Sequence, residues 1–414
     1  MLTAILLVRP LPFVLGLVCL ILLVTTNSMA KVYDVTETSD WPVPLPGYSL
    51  RQALNAANED AQVDVINIPE GIYTLNMSGA DEDNNVSGDL DVKNNLFIVG
   101  KGPEKTFIDG SGITRVLHIV QAGVSVGLVN LTIQNGKVTN SHNQAHGAGI
   151  LNKGSLSLYN VGIKNNTNAA DNNFGGGIYN DGVLTITNAT LSGNQALSGG
   201  AIYTNNSAQT GIERSLLVNN RASSRASAIE SYGSLQVTNT TVDGNVSTYG
   251  SAIHLAFGTA DISFCTITNN TPGTASAALE LGLASLNLHQ TLLAANQSTD
   301  AIKRNCSYKI ADATYNLEDA NTCGFSTATN LINTDPKLGP LQDNGGPTQT
   351  RALAADSPAI DYVRIDTGVT VDQRGFTRPV GPWADIGAYE YERDVSTFCF
   401  PIRSPDGKTA IICL

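Results

Sequence analysis

The chain has 414 residues, a net charge of −12, only 14% charged residues and 39 glycines. No stretch gathers lysine and arginine into a basic stripe able to meet phosphates, which argues against nucleic acid as a partner. The length suits two or three ordinary domains, or one long solenoid.

Residues 11–26, LPFVLGLVCLILLVTT, form a nearly unbroken apolar run with Arg9 as the only charge before it. Ser28 and Ala30 supply a small-x-small cleavage pattern, so residues 1–30 are expected to be a secretory signal. The alternative is an uncleaved membrane anchor. Contact with a membrane is expected only through this signal or an anchor.

Residues 31–60 read as an N-terminal cap. In YSLRQALNAANED (48–60), Leu50, Ala53, Leu54 and Ala57 share one helical face, and Ser49 with Gln52 makes a capping-box pattern. A short helix here would cover the open end of whatever sheet follows, where bare edges invite association. Strand runs punctuated by Gly and Pro follow, beginning with VDVINIPEGIYTL (63–75). Between the runs, DEDNNVSGDLD (81–91) clusters Asp81, Glu82, Asp83, Asp89 and Asp91. Several carboxylates in a flexible loop suit calcium, with Asp81, Asp83, Asp89 and Asp91 as ligands, although the spacing is not that of an EF-hand. A solvated acidic loop is the expected reading, with calcium the alternative. His142 and His146 stand four apart, but their Gly- and Asn-rich surroundings do not make the helix that would pair them on a metal.

A repeat dominates residues 61–300. A terminal Asn falls at Asn166, Asn194, Asn220, Asn245, Asn270 and Asn296, at intervals of 28, 26, 25, 25 and 26 residues. Three residues before each, with Ile133 one unit earlier, stand Ile163, Leu191, Leu217, Val242, Ile267 and Leu293. Eight before stand Leu158, Ile186, Ile212, Val237, Ile262 and Leu288, with Leu128 one unit earlier. The column six before reads Asn130, Asn160, Asn188, Arg214, Asn239, Phe264 and Gln290, mostly amides. Apolar columns at a period in the mid-twenties mark stacked coils whose strands are too short to bury their apolar sides alone. The expected fold is all-β: a right-handed parallel β-helix of about ten rungs, with inward Ile, Leu and Val ladders about 4.8 Å apart and Asn at the bends.

The residue after each inward Ile is expected to point outward. That column runs Leu151, Tyr179, Tyr203, Glu230, His254 and Glu280, beside the small residues Gly149, Gly177, Ala201, Ala228, Ala252 and Ala278. Small residues beside such a stripe would floor a groove. Tyr179 and Tyr203 would stack on sugar rings, and Glu230, His254 and Glu280 would be the candidates for acid–base work. The reading to prefer from sequence is an ordinary solvated face with cross-rung charge pairs, with the groove as the alternative. Arg214, Arg221 and Arg225 are the only basic cluster near it.

Beyond the repeat, Cys306 and Cys323 flank one loop, and Cys399 and Cys413 lie symmetrically about a turn in FCFPIRSPDGKTAIICL. Disulfides Cys306–Cys323 and Cys399–Cys413 are expected, the second across a β-hairpin at residues 393–414, with Cys265 left as a buried free thiol.

YSLRQALNAAN (48–58) resembles the CSLREA motif of bacterial secreted β-helix proteins, with Tyr48 in place of the Cys and Gln52 in place of the Glu. Residues 88–119 are similar to the first coils of that family. DPKLGPLQDNGGPTQTRALAADSPAIDY (335–362), DQRGFTRP (372–379) and DIGAYEYE (385–392) resemble the choice-of-anchor Q segment that ends many such proteins. The Gly-Gly-Ala-Ile repeats are more weakly similar to polymorphic outer-membrane proteins. The resemblance implies a pectate-lyase-like solenoid and a secreted or cell-surface location, but no catalytic residues, because the family has no general activity. Residues 301–392 would close the solenoid, with Asp361, Asp372, Arg374 and Asp385 in buried or turn-fixing pairs. The function expected is non-enzymatic adhesion or envelope and polysaccharide binding by a monomer, with no cofactor expected and calcium the alternative. The alternative is a polysaccharide lyase or glycoside hydrolase working along an outer sheet.

Overall fold

The computed structural model describes residues 30–40, 47–59, 61–78, 82–139, 146–169, 173–302 and 304–392, together with the backbone of a hairpin at 399–403 and 409–413. The apolar segment 11–26 lies outside the described residues. Among those described, no helix is long and apolar enough to cross a membrane.

The alternating runs fold into parallel strands that stack coil upon coil. One sheet holds eight short strands, Leu90–Val92, Leu117–Ile119, Ile150–Asn152, Ile178–Asn180, Ile202–Thr204, Ile229–Ser231, Ile253–Leu255 and Leu279–Leu281, each parallel to the next. A 19-stranded sheet and a five-stranded sheet form the other walls. This is a parallel β-helix, and connections that return each strand parallel to the last are right-handed by the twist of the strands. The eight-stranded wall counts eight complete turns, fewer than the ten rungs expected. Strands Val32–Asp34 and Asp64–Asn67 at one end, and Asp312–Thr314 and Leu317–Glu318 at the other, join only the large sheet. There the chain departs into the cap helix and the disulfide loop instead of completing a turn.

The apolar columns stack as the repeat predicts. Ile133, Ile163, Leu191, Leu217, Val242, Ile267 and Leu293 are register partners in succession, and all are fully buried. The terminal Asn residues form a second, interior ladder. Each Asn Nδ2 from Asn166 to Asn270 donates to the Oδ1 of the next at 2.9–3.0 Å, and the Nδ2 groups of Asn194 to Asn296 also reach the carbonyls of the apolar column one coil back. The ladder Asn residues are not themselves left-handed. The bends are made by the residue just before them (Asn165, Gly193, Asn219, Gly244, Asn269, Ala295) and by the amide column, where φ lies between 47° and 57° from Asn130 to Gln290. Amides tolerate that conformation because their short polar side chains bond locally. Arg214 and Phe264 are the exceptions, and a guanidinium covers the second: Arg378 stacks over the Phe264 ring at 4.4 Å.

The cap helix, α1, spans Leu50–Asn58 with Ser49 as N-cap and the reciprocal Ser49–Gln52 capping box formed. Leu50, Ala53, Leu54 and Ala57 are buried over the first coil. Arg51, on the remaining face, is also buried; it pairs with Asp40 at 2.6 Å and donates to the carbonyls of Gly88 and Asp89.

At the other end, the Cys306–Cys323 disulfide is formed, and Cys306, Ile310, Cys323 and Phe325 complete the core. Cys265 is a buried free thiol, as expected, and burial pushes it up to about 12. Residues 335–392 take a different course from the closing role expected of them. They run back along the outer face of the large sheet. Thr241 Oγ1 donates to Gln373 at 2.6 Å, Ala388 N–H donates to Thr266 Oγ1 at 3.0 Å, and Arg351 pairs with Asp243. The polar outward side chains of that sheet supply partners along its flank, whereas the last coil is already capped by the disulfide loop. The pairing within this arm is as expected: Arg374 bonds Asp372 at 2.8 Å, Asp385 accepts the Asp361 and Tyr391 N–H groups, and Arg378 meets Glu390 at 2.9 Å. The hairpin Cys399–Arg403 with Thr409–Cys413 is antiparallel and sets Cys399 opposite Cys413; its side chains lie outside the description.

Candidate functional site

The central strands of the eight-stranded wall place Leu151, Tyr179, Tyr203, Glu230, His254 and Glu280 in one row, each the register partner of the next. The row is as the repeat predicts, but its exposure is not. Tyr179 and Tyr203 are 9% and 8% exposed and Glu230 is fully buried, while His254 and Glu280 are half-buried. The connections between coils fold over the row. Phe174 stacks on Tyr203 at 4.7 Å, and His146 stacks on Tyr179 at 4.4 Å. Tyr179 and Tyr203 stack on each other at 5.1 Å, and the pile continues through Tyr232 to the exposed Phe257. Burial pushes the Tyr179 hydroxyl up to about 12 and that of Tyr203 higher.

The small-residue column is not the floor of a groove. Ala201, Ala228 and Ala278 belong to the core. A Cβ on Gly177 would fall 2.6 Å from the Ala201 carbonyl oxygen and 3.2 Å from Asn194 Cγ. These positions are small because the Asn ladder and the next coil's backbone occupy the space.

One hollow of about 210 Å³ remains against the row, lined by Phe174, Ser198, Tyr203, Arg225, Glu230 and Tyr232 among others. Glu230 lies at its base with both oxygens engaged. Oε1 is 2.8 Å from His254 Nδ1 and 3.8 Å from Arg225 Nη1; Oε2 accepts from Ser198 Oγ at 3.0 Å and Ala226 N at 3.3 Å. Arg225, more than half exposed, also donates to the Tyr232 hydroxyl at 2.8 Å. Of the basic cluster near the row, Arg225 is the residue that stands beside Glu230. The two are five residues apart in sequence, and only the bend at the start of the strand turns them toward each other. For His254, burial is the largest influence and lowers its affinity for a proton. The hydrogen bond and charge of Glu230, with the charge of Glu280, outweigh it and leave the imidazole above its ordinary value. Glu280 accepts from Ser276 Oγ at 3.0 Å and bears on the Glu230 cluster through its charge on His254.

A larger, open hollow of about 480 Å³ lies on another face, lined by Thr74, Asp109, Ser111, Asn135, Lys137 and Thr167 among others. Its one carboxylate, Asp109, already accepts from Gln134, Asn135 and the Ser111 N–H. The smaller hollow holds the denser chemistry.

The row also runs two coils further than the repeat suggests, to His118 and Asp91. The interval from His118 to Leu151 is longer than the repeat and hides this. The triplets Leu90-Asp91-Val92 and Leu117-His118-Ile119 could have revealed it, being the same inward-x-inward pattern. His118 Nδ1 lies 3.1 Å from Asp91 Oδ1 and 3.4 Å from Asp83 Oδ1. Burial, with the charges of Asp89, Asp83 and Glu82, raises Asp91 to about 8, and burial with Arg115 lowers His118 to about 4.

The four aspartates considered for calcium are not brought together as a set. Asp89 pairs with Arg115 at 2.8 Å, Asp91 turns to His118, and Asp81 lies outside the described residues. Glu82 fixes the loop by accepting from the Asn84, Val86 and Ser87 N–H groups. His146 Nδ1 accepts the Phe174 N–H at 3.2 Å, and His142 lies outside the described residues.

No family model matches the chain, and no curated protein matches it. Among solved structures the chain is similar to the crystal structure of pectate lyase Pel9A, at 13% identity and a TM-score of 0.42, over 88% of this chain and 97% of that one. A likeness at that level adds nothing to the fold, which rests on the strand pairing, and nothing to the chemistry.

Proposed function

We propose that this chain is an exported β-helix that binds a saccharide without turning it over, and that the hollow beneath Arg225 is where a sugar residue enters. The hollow itself carries the reading: an aromatic-sided pocket of about 210 Å³ with a half-exposed guanidinium at its mouth. Ligand pockets commonly exceed about 300 Å³, so this one suits a single ring or branch of a glycan rather than an enclosed chain. The half-buried Tyr232 and exposed Phe257 offer flat apolar faces beside it, and Arg225 offers donors to hydroxyl or carboxylate oxygens. The state of Glu230 supports binding over catalysis. A general acid or base must reach its substrate by hydrogen bond, and both Glu230 oxygens are already engaged by the protein. Export and a cell-surface location belong to the same proposal, on the strength of the N-terminal apolar run.

The test is incubation of the mature protein with immobilised neutral and acidic polysaccharides, reading protein retention together with released reducing or unsaturated ends. Retention without release is the expected result. Release by the wild type, lost in Glu230→Gln, would establish the lyase or hydrolase reading instead.

A further inference from the structure

We propose that Asp83, Asp91 and His118 form a binding site for a divalent transition metal of the Zn²⁺ class. Asp91 and His118 come from adjacent strands of the eight-stranded wall, and Asp83 comes from the loop folded over them. Their donor atoms all lie within 4.8 Å of one another. When a metal is held by bonds of 2.0–2.2 Å in tetrahedral geometry, neighbouring ligand atoms stand about 3.3 Å apart. From His118 Nδ1 the two carboxylate oxygens are 3.1 and 3.4 Å away, close to that separation.

An ordinary hydrogen-bond cluster leaves this arrangement incomplete. One Nδ1 hydrogen serves one acceptor well, yet two carboxylates converge on it. Asp91 is fully buried, and its second oxygen, Oδ2, has no hydrogen-bond partner among the described residues. Buried polar atoms are rarely left this way, and each calls for a cause. A cation between the carboxylates and the imidazole would engage Asp91 and account for the convergence of the two carboxylates on one imidazole nitrogen. The rest of the neighbourhood is built to hold these groups still. Asn85 Oδ1 accepts the Asp91 N–H at 2.6 Å, and Asn85 and Asn58 donate to the Asp91 carbonyl.

The imidazole decides the class of metal. Calcium and magnesium prefer all-oxygen shells, whereas two carboxylates with one imidazole suit Zn²⁺ and its first-row neighbours. Asp83 is 43% exposed, which gives the ion a way in and leaves room for water as a further ligand. This site is independent of the saccharide pocket.

The experiment is calorimetric titration of the chelator-treated mature protein with Zn²⁺ and, separately, Ca²⁺. One Zn²⁺ per chain is expected. Replacing an outer-shell partner of a metal typically weakens binding 10–100-fold, so loss of a direct ligand in Asp83→Asn should weaken it by at least about tenfold. Because Asp83 is on the surface, that variant should fold even where His118→Ala does not. His289→Gln, at the other half-buried end of the molecule, should bind as the wild type does. Absence of Zn²⁺ binding, equal affinity in Asp83→Asn, or preference for Ca²⁺ would each overturn the proposal.

Discussion

Asn220 shows how a single side chain serves three coils. Its Nδ2 donates to Asn245 Oδ1 and to the Leu191 carbonyl, and its own Oδ1 accepts from the Asn194 backbone and side chain. Asn220→Ala should leave buried partners unsatisfied on both neighbouring coils. At about 1–3 kcal/mol for each such group, the loss should be about 3 kcal/mol or more, read by denaturant unfolding. Tyr203 is the second case. An outward tyrosine would be replaceable at little cost, but one packed between Tyr179 and Phe174 is not, and Tyr203→Ala should cost about 3 kcal/mol by the same measurement. His254 gives a pH dependence. Its folded value is raised above the ordinary 6.5, so its bond to Glu230 contributes stability that is fully present below about pH 6.5 and is lost as pH rises through the folded value. Thermal scans of the wild type should lose stability across that window, and His254→Asn should flatten the loss; a steeper loss in the variant would contradict the linkage. The row of residues was legible because like stands above like at a fixed period. Its burial was not legible, since the covering Phe174 and Arg225 sit in connections whose length varies from coil to coil.

At the scale of elements, the helix announced itself through the Ser49–Gln52 box and one apolar face, both of which formed. The arm at 335–392 announced its own turns and ion pairs but not its docking site. Its contacts with the large sheet join residues more than a hundred apart, as between Thr241 and Gln373, 132 positions away, and no local pattern encodes such a pairing. One trace was visible: Phe264 interrupts a column of amides, and the arm's Arg378 covers it. The cysteines give an element-scale test. The Cys306–Cys323 bridge spans 17 residues and is worth about 3 kcal/mol in the chain-entropy model. The hairpin register that sets Cys399 opposite Cys413 is compatible with the second bridge. Alkylation of the denatured, unreduced protein lacking residues 1–30 should therefore modify Cys265 alone, seen by peptide mass. Label on Cys399 or Cys413 would contradict the second bridge.

The coils share one stacked core, continuous from Tyr33 beside the cap helix to Phe325 beside the disulfide loop, and a second apolar cluster packs the 335–392 arm against the large sheet. Period and apolar columns were enough to specify the first. They could not specify which outer face stays open, because openness depends on how connections fold over the coils. Beneath Arg225, aromatic faces, a cation and a hollow coincide on the eight-stranded wall. The most direct measurement of the proposal is a glycan array comparing the mature wild type with Tyr232→Ala. Tyr232 is half-buried and lines the hollow, so the variant should fold, while losing a stacking face and the hydroxyl that positions Arg225. The account predicts that the wild type binds at least one glycan and that the variant binds it at least about tenfold more weakly, about 1.4 kcal/mol. No glycan bound by the wild type, or equal binding by the variant, would contradict it.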